Sequence, residues 1–132
     1  MGFGLICTEQ KDVSIIHEYS LGQLVKPLIR EIFLLDTYVA GTSYVEDQER
    51  CAALQIDDEL TLKREPENEY DEMAILVLNS WGEKLGYVPR KDNIVFSRLM
   101  DAGKVLKAKV KSIGLGDFGV WEVEMKIYLV DL

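Results

Sequence analysis

The chain has 132 residues, of which 48% are apolar and 29% charged, and these values are typical of one soluble globular domain. Its net charge of −8 argues against a general nucleic-acid coat, because phosphate neutralisation supplies most non-specific affinity. No apolar run reaches the roughly 18 residues of a membrane span, and the N-terminus lacks the basic region of a secretory signal. Two cysteines are too few for a disulfide framework, so we expect a cytoplasmic protein with free thiols that does not contact membranes.

The basic residues are concentrated in residues 83–111. This segment holds eight lysines or arginines and three acidic residues, so its net charge is +5 and the rest of the chain carries −13. A basic segment on an acidic body is suited to the end of a nucleic acid rather than to a long tract. The alternative is that these cations form the solvated face of a strand and a helix.

The first predicted element is a short amphipathic helix near residues 21–31. Ser20 begins a capping-box pattern, and apolar residues follow it at helical spacing. Pro27 falls inside this helix, so a kink or a later start is expected. Residues 1–32 are therefore predicted to form an N-terminal extension. Its apolar face would pack on the domain, on a partner protein or on a second copy of the chain through residues 21–32.

The remaining residues, 33–132, are predicted to form a β-domain. Apolar and alternating runs bounded by turn residues indicate strands at 33–42, 59–63, 74–78, 83–88, 105–113 and 120–130. One helix is predicted from Asn93 to Ala102, with Asp92 as its N-cap and an apolar face that includes Ile94 and Val95. Five or six short strands with one capping helix indicate a mainly β fold, a small closed or half-closed barrel.

The sequence offers little for catalysis or metal binding. His17 is the only histidine, and nothing in the sequence places Cys7, Cys51 or a serine beside it. A zinc site needs about four paired Cys or His ligands, which this chain does not supply. We therefore predict no enzymatic activity, no metal and no cofactor.

Residues 64–75 connect two predicted strands and carry the most distinctive pattern in the chain. Pro66 fixes its own φ angle and disfavours helix at the preceding residue, while Asn68 and Asp71 favour turns. Such a loop would hold Tyr70 and Asp71 at the mouth of the barrel. Tyr70 is predicted to be structural, with its ring closing the turn over the barrel.

Three blocks of the sequence resemble the HIRAN domain family, in the family's order and over about residues 33–130. Two of the blocks are Tyr38–Tyr44 and Gly82–Asp92. In the central block the residues that match the family pattern are Arg64, Pro66, Asn68, Tyr70, Asp71, Ala74 and Ile75. The resemblance implies an OB-like β-barrel, in agreement with the strand pattern.

The resemblance also implies a function. HIRAN domains of fork-remodelling helicases capture the 3′ end of single-stranded DNA, so the expected ligand is single-stranded DNA or a DNA 3′ end, with a role in DNA repair. Asp71 stands at the position of the aspartate that accepts a hydrogen bond from the terminal 3′-hydroxyl. Tyr44 matches a base-stacking tyrosine, and Arg90 stands where a phosphate-contacting lysine is found.

Other positions differ from the family pattern. Ser43 replaces an arginine, Val45 replaces a second tyrosine, and Tyr87 stands where a histidine occurs. The predicted nucleic-acid-binding residues are Ser43, Tyr44, Asp71, Tyr87, Arg90, Lys91 and Phe118. Two alternatives remain open: a protein-interaction module with weak or no DNA binding, and a small-molecule pocket that uses the same residues.

Overall fold

Six antiparallel strands form one sheet in residues 30–131, the part of the chain that the computed structural model describes. The strands are β1 Arg30–Tyr38, β2 Glu59–Arg64, β3 Ile75–Leu78, β4 Lys84–Tyr87, β5 Val105–Leu115 and β6 Trp121–Asp131. Their order in the sheet is β1-β6-β5-β2-β3-β4. The predicted fold class, mainly β with about six strands, is confirmed.

The start of the sheet differs from the sequence prediction. The first strand was expected at 33–42, but β1 begins at Arg30 and ends at Tyr38, and Thr42 begins a short 3-10 turn that ends at Tyr44. The predicted helix near 21–31 falls mostly outside the described residues. Its last two positions, Arg30 and Glu31, are extended in β1, where the Glu31 carboxylate pairs with Lys107 of β5.

The long strands β5 and β6 confirm the predicted alternation. They pair along their whole length, from Val105 opposite Val130 to Leu115 opposite Trp121. Every second side chain points into the core, and these buried residues are Leu106, Ala108, Val110, Val123, Met125 and Ile127. The outward residues of β5 include three lysines, as the pattern predicted.

Two α-helices accompany the sheet, α1 at Glu49–Ala52 and α2 at Arg90–Asp101. None of the helices in the described range 30–131 has the length and apolarity needed to cross a bilayer. Helix α2 begins three residues earlier than predicted, after Pro89. The predicted N-cap role of Asp92 is wrong: no side chain caps the helix, and the Asp92 carboxylate accepts a hydrogen bond of 2.7 Å from the Thr37 hydroxyl.

The face of α2 that packs on the sheet also differs from the prediction. Ile94 and Val95 are exposed, whereas Asn93, Phe96 and Ser97 are buried. The two polar residues can be buried because both make hydrogen bonds. The Ser97 hydroxyl donates to the Ile94 carbonyl at 2.9 Å, and the Asn93 amide donates to a loop carboxylate.

The two ends of the sheet meet at a single pair of residues. Ala40, just after β1, and Tyr87, at the end of β4, exchange backbone hydrogen bonds of 2.8 and 2.9 Å. No continuous ladder joins β1 to β4, so the barrel-like sheet is not closed. Gly86 allows the close approach, since a Cβ atom there would lie 2.2 Å from the Ala40 carbonyl oxygen. We call this contact the seam.

Replacing Gly86 with alanine should force the seam apart. We expect Gly86→Ala to lower the free energy of unfolding by about 1–3 kcal/mol, the usual cost of inserting an atom into a packed site. Urea unfolding followed by circular dichroism would measure the loss. Gly114→Ala is the matched control, because a Cβ atom at that strand position meets open space. Equal stability of both variants would contradict a tight seam.

Candidate functional site

A groove of about 970 Å³ lies over the seam. Its walls come from the 3-10 turn after β1, the loop between β2 and β3, strand β4 and the first turn of α2. Four predicted site residues line it: Tyr44, Asp71, Tyr87 and Arg90. The groove therefore brings together residues that are up to 46 positions apart in the sequence.

Asn68 sets the turn that projects the next residues toward the groove. Its side-chain oxygen accepts hydrogen bonds from the backbone N–H groups of Tyr70, at 2.9 Å, and of Asp71, at 3.1 Å. Its amide donates to the Glu65 carboxylate at 2.7 Å. This is the turn chemistry that the sequence predicted for Asn68.

Arg64 fixes the far side of the same loop. Its guanidinium donates to the carbonyl oxygens of Ala74, at 2.7 Å, and Glu72, at 3.0 Å. It also forms a two-point contact with the Asp101 carboxylate at the end of α2, at 2.9 and 3.2 Å. The planar, five-donor guanidinium can make all of these bonds at once, so Arg64 ties the loop to the helix.

The Asp71 carboxylate is held by neighbours on both of its oxygens. Oδ1 accepts a hydrogen bond from the Met73 N–H at 2.9 Å, and Oδ2 accepts one from the buried Asn93 amide at 2.8 Å. Arg90 approaches Oδ2 at 3.7 Å. The Met73 N–H, then Asn93 and the nearby arginines, lower the pKa of Asp71 below its ordinary value. Asp71 is therefore an ionised acceptor with a fixed orientation.

A second carboxylate holds the other wall. Glu65 accepts a hydrogen bond from the Tyr87 hydroxyl at 2.8 Å, on the oxygen that also receives the Asn68 amide. The Asn68 and Tyr87 hydrogen bonds lower the pKa of Glu65. Burial, followed by the hydrogen bond to Glu65, raises the pKa of Tyr87. Tyr87 is thus a neutral, oriented ring, with the Lys84 ammonium 4.8 Å from its centroid.

Two tyrosines present exposed rings at the groove. Tyr44 is 87% exposed and Tyr70 is 80% exposed, and both line it. The prediction that Tyr70 closes the turn over the barrel is wrong, because its side chain lies in solvent instead of packing on the protein. Val45, which stands where the family pattern has a second tyrosine, is buried. This position therefore offers the groove no stacking surface.

The groove is acidic. Four of its lining residues are carboxylates, Glu65, Glu67, Glu69 and Asp71, whereas two are cations, Lys84 and Arg90. Arg90 is 73% exposed on its side chain and donates to the Tyr70 carbonyl at 3.2 Å. A long polyanion is not favoured by such a surface.

Three predicted site residues lie outside the groove lining. Ser43 is exposed beside Tyr44, and Lys91 lies with its ammonium 5.4 Å from the centroid of the Tyr38 ring. Phe118 is fully exposed at the tip of the β5–β6 hairpin, in the left-handed backbone region with φ of 61°. That conformation is costly for a bulky residue.

The sequence placed Tyr70 at the mouth of the barrel but with a structural role, and it assigned no site role to the groove residues Glu65 and Lys84. A signal existed for Tyr70, because it precedes Asp71 in the same turn. Glu65 and Lys84 carried no such signal, since their placement depends on how β2 and β4 meet. Within residues 30–131 no group of three or more acidic, histidine or cysteine side chains is placed to hold a metal ion.

Comparison with known proteins gives a consistent result. The sequence profile of the HIRAN domain matches residues 32–114. A crystal structure of a protein from Lactobacillus plantarum is similar with a TM-score of 0.72 and 28% identity, over 79% of this chain and 99% of that chain. No curated protein matches the sequence.

Two further structures share the fold. The crystal structure of the HIRAN domain of human HLTF is 19% identical, with a TM-score of 0.61. The NMR structure of the HLTF HIRAN domain in its DNA-bound conformation is 19% identical, with a TM-score of 0.52. Both alignments cover 76% of this chain and 78% of the other.

Proposed function

The chain belongs to the HIRAN domain family, and from this premise we propose that it is a non-catalytic module that binds single-stranded DNA at its 3′ end. A related HIRAN domain, that of HLTF, has been solved in a DNA-bound conformation. The observation that carries the proposal is the ionised, fixed Asp71 carboxylate in a groove flanked by exposed tyrosine rings.

Asp71 supplies the selection for a free end. An ionised carboxylate only accepts hydrogen bonds, so a terminal 3′-hydroxyl can donate to it. A continuing phosphodiester or a 3′-phosphate would instead place an anion against it. The hydrogen bonds from Met73 and Asn93 hold the carboxylate in position before the ligand arrives, which reduces the ordering cost of binding.

The tyrosines supply affinity without sequence preference. Stacking of a base on an aromatic ring contributes about 1–3 kcal/mol and tolerates any base. Tyr44 and Tyr70 are the exposed rings of the groove, so Tyr70 offers a second stacking surface where Val45 offers none. Two stacked bases and one hydrogen-bonded hydroxyl are the contacts that this model gives to the end of the strand.

The charges of the groove explain why an end would be preferred to a tract. Each nucleotide within a strand brings a phosphate, and four carboxylates against two cations repel phosphates. The terminal nucleoside carries no phosphate on its 3′ side. It is therefore the part of the strand that best suits an acidic groove, with Arg90 available to the first phosphate on the 5′ side.

Fluorescence anisotropy would test the proposal with three strands of the same sequence that end in a 3′-hydroxyl, a 3′-deoxy position or a 3′-phosphate. We expect the 3′-hydroxyl strand to bind at least about 10-fold tighter than the 3′-deoxy strand, since a hydrogen bond to a charged group contributes about 1.5–3 kcal/mol. The 3′-phosphate strand should bind weakest. Equal binding of all three would refute end capture.

One observation favours a second candidate function, protein–protein interaction. Strand β1 leaves Ile32, Phe33, Leu35 and Tyr38 exposed at an end of the sheet, and such strands are common pairing surfaces. Salt dependence separates the two functions. Affinity for DNA should fall steeply as salt rises, whereas an apolar protein contact should change little.

A further inference from the structure

Six of the eight basic residues of segment 83–111 form two structurally different groups, three on β5 and three on α2. The first group lies on β5, where acidic residues of β1 and β2 neutralise it. Lys107 pairs with Glu31 and Glu59, and Lys109 also reaches Glu31, at 3.4 Å. Lys111 pairs with Asp36 at 3.2 Å. The charges of these lysines are therefore paired with carboxylates of the same chain.

The second group lies on α2, where the acidic residues have partners but two of the cations have no carboxylate partner in the described residues. Both acidic residues of the helix have partners: Asp92 accepts from Thr37, and Asp101 is held by Arg64. Lys91 and Arg98 have no carboxylate within ion-pair distance anywhere in residues 30–131. The helix thus presents positive charge that the described part of the protein does not cancel.

Helical geometry places these two cations on one face. Lys91 and Arg98 are seven residues apart, so they lie close to the same line along the helix, separated by about 10 Å of rise. This is the outward face, since Asn93, Phe96 and Ser97 occupy the buried side. The helix begins at the groove, where Arg90 and Asn93 form part of the lining. Arg90, the residue before Lys91, is therefore an exposed cation at the junction between the groove and the helix.

We propose that a strand whose 3′ end occupies the groove continues along the outward face of α2, with its phosphates against Lys91 and Arg98. This inference rests on the proposed function and adds the route of the bound strand. The acidic groove repels the phosphates that follow the terminal nucleoside, and the outward face of α2 attracts them. Since the phosphates of one strand are at least about 3.4 Å apart along its axis, the roughly 10 Å between the two cations spans at most about three phosphates.

The exposed Ile94 and Val95 lie between the two cations and suit a different occupant, an acidic amphipathic helix of a partner protein. Continuity with the groove through Arg90 favours the nucleic-acid strand. A comparison of short and long DNA strands separates the two occupants. If the strand runs from the groove onto α2, a longer strand contacts more of the helix and binds more tightly. If the face binds a partner protein, strand length has no effect on DNA affinity.

The test compares a strand of about four nucleotides with one of about sixteen, the range of single-strand site sizes, both with a 3′-hydroxyl. Lys91→Gln/Arg98→Gln is the test variant. Lys109→Gln/Lys111→Gln is the matched control, with the same change of charge at ion-paired positions. Thermal unfolding would confirm that both variants are folded.

We expect the test variant to bind the long strand about 10-fold more weakly at low salt and the short strand, which can reach Lys91 but not Arg98, at most about 3-fold more weakly. Its slope of log K against log salt for the long strand should fall by about 1.4, since each single-strand phosphate contact contributes about 0.7. The control variant should match the wild type. Equal losses in both variants, or a long strand bound no better than a short one, would overturn the route while leaving end capture intact. Failure of the wild type to bind either strand would overturn both.

Discussion

Replacing Asp71 with asparagine should abolish the preference for a 3′-hydroxyl over a 3′-deoxy end. Asparagine keeps an oxygen for the Met73 N–H, and the Asn93 amide can turn to offer its own oxygen, so the loop is preserved. The ionised acceptor is lost, however. The ratio of the two affinities should fall from about 10-fold or more to near one. A 3′-phosphate strand should bind the variant better than the wild type, because an anion has been removed.

Glu69→Gln is the control for this variant. Glu69 lines the same groove, but it makes no hydrogen bond or ion pair in the described residues. Its removal changes the groove charge by the same amount, so general electrostatics would affect both variants alike. The hydroxyl preference should survive in Glu69→Gln. Loss of the preference in both variants would show that charge, and not the Asp71 hydrogen bond, selects the end.

The dependence on pH gives an independent check of Asp71. Its pKa is lowered in the folded protein, chiefly by the Met73 N–H and Asn93. The carboxylate is therefore ionised at every pH above the ordinary aspartate pKa of about 3.9. The hydroxyl preference should be constant from about pH 8 to pH 5. The stability that Asp71 contributes is present above its unfolded pKa and is lost as pH falls through the lowered pKa. A preference that changed near neutral pH would identify another group.

Replacing Arg64 with methionine should have the largest effect on the fold of the site. The substitution keeps an apolar stem of similar length but removes the bonds to the Ala74 and Glu72 carbonyls and to Asp101. We expect the free energy of unfolding to fall by about 2–4 kcal/mol, because hydrogen bonds to charged groups contribute about 1.5–3 kcal/mol each. Urea unfolding measures this directly. DNA binding should weaken as well, since the loop that orients Asp71 loses its anchor.

Asp101→Asn separates the two halves of the Arg64 contact. The Asp101 side chain is 55% exposed, and exposed ion pairs contribute little. This variant retains both carbonyl contacts of Arg64, so we expect a much smaller loss of stability and unchanged end preference. If Asp101→Asn were as damaging as Arg64→Met, the anchor would be the ion pair to the helix and not the clamp on the loop.

Sequence patterns predicted the strands well where burial alone decides the periodicity. β5 and β6 alternate because one face packs in the core, and the alternation is visible in the sequence. The same reasoning failed for α2, where Ile94 and Val95 suggested an apolar face. The structure buries Asn93 and Ser97 instead, because both side chains contact residues distant in the sequence, in the loop before β3. No local pattern contains those partners.

Only part of the candidate site was predictable, because the rest depends on contacts that form when the chain folds. Asp71 and Tyr44 were identified by resemblance to a family and lie on the groove. Arg64 matched the same pattern, but its role as a clamp depends on carbonyl oxygens, which side-chain patterns do not reveal. The Tyr70 side chain lies in solvent, which the pattern of turn residues does not reveal. The acidity of the groove likewise emerges only when loop and strand come together.

The seam has a consequence for how the protein responds to its ligand. The groove takes Gly41 and Tyr44 from one side of the seam and Tyr87 from the other, and Ala40–Tyr87 is the only backbone hydrogen-bonded pair across the seam in residues 30–131. Local opening at this pair would divide the groove, so an opened molecule cannot hold a ligand that touches both halves. Occupancy and opening are therefore linked equilibria, and a bound ligand must slow amide hydrogen exchange at the seam. A bound ligand would contact both ends of the open sheet and oppose their separation.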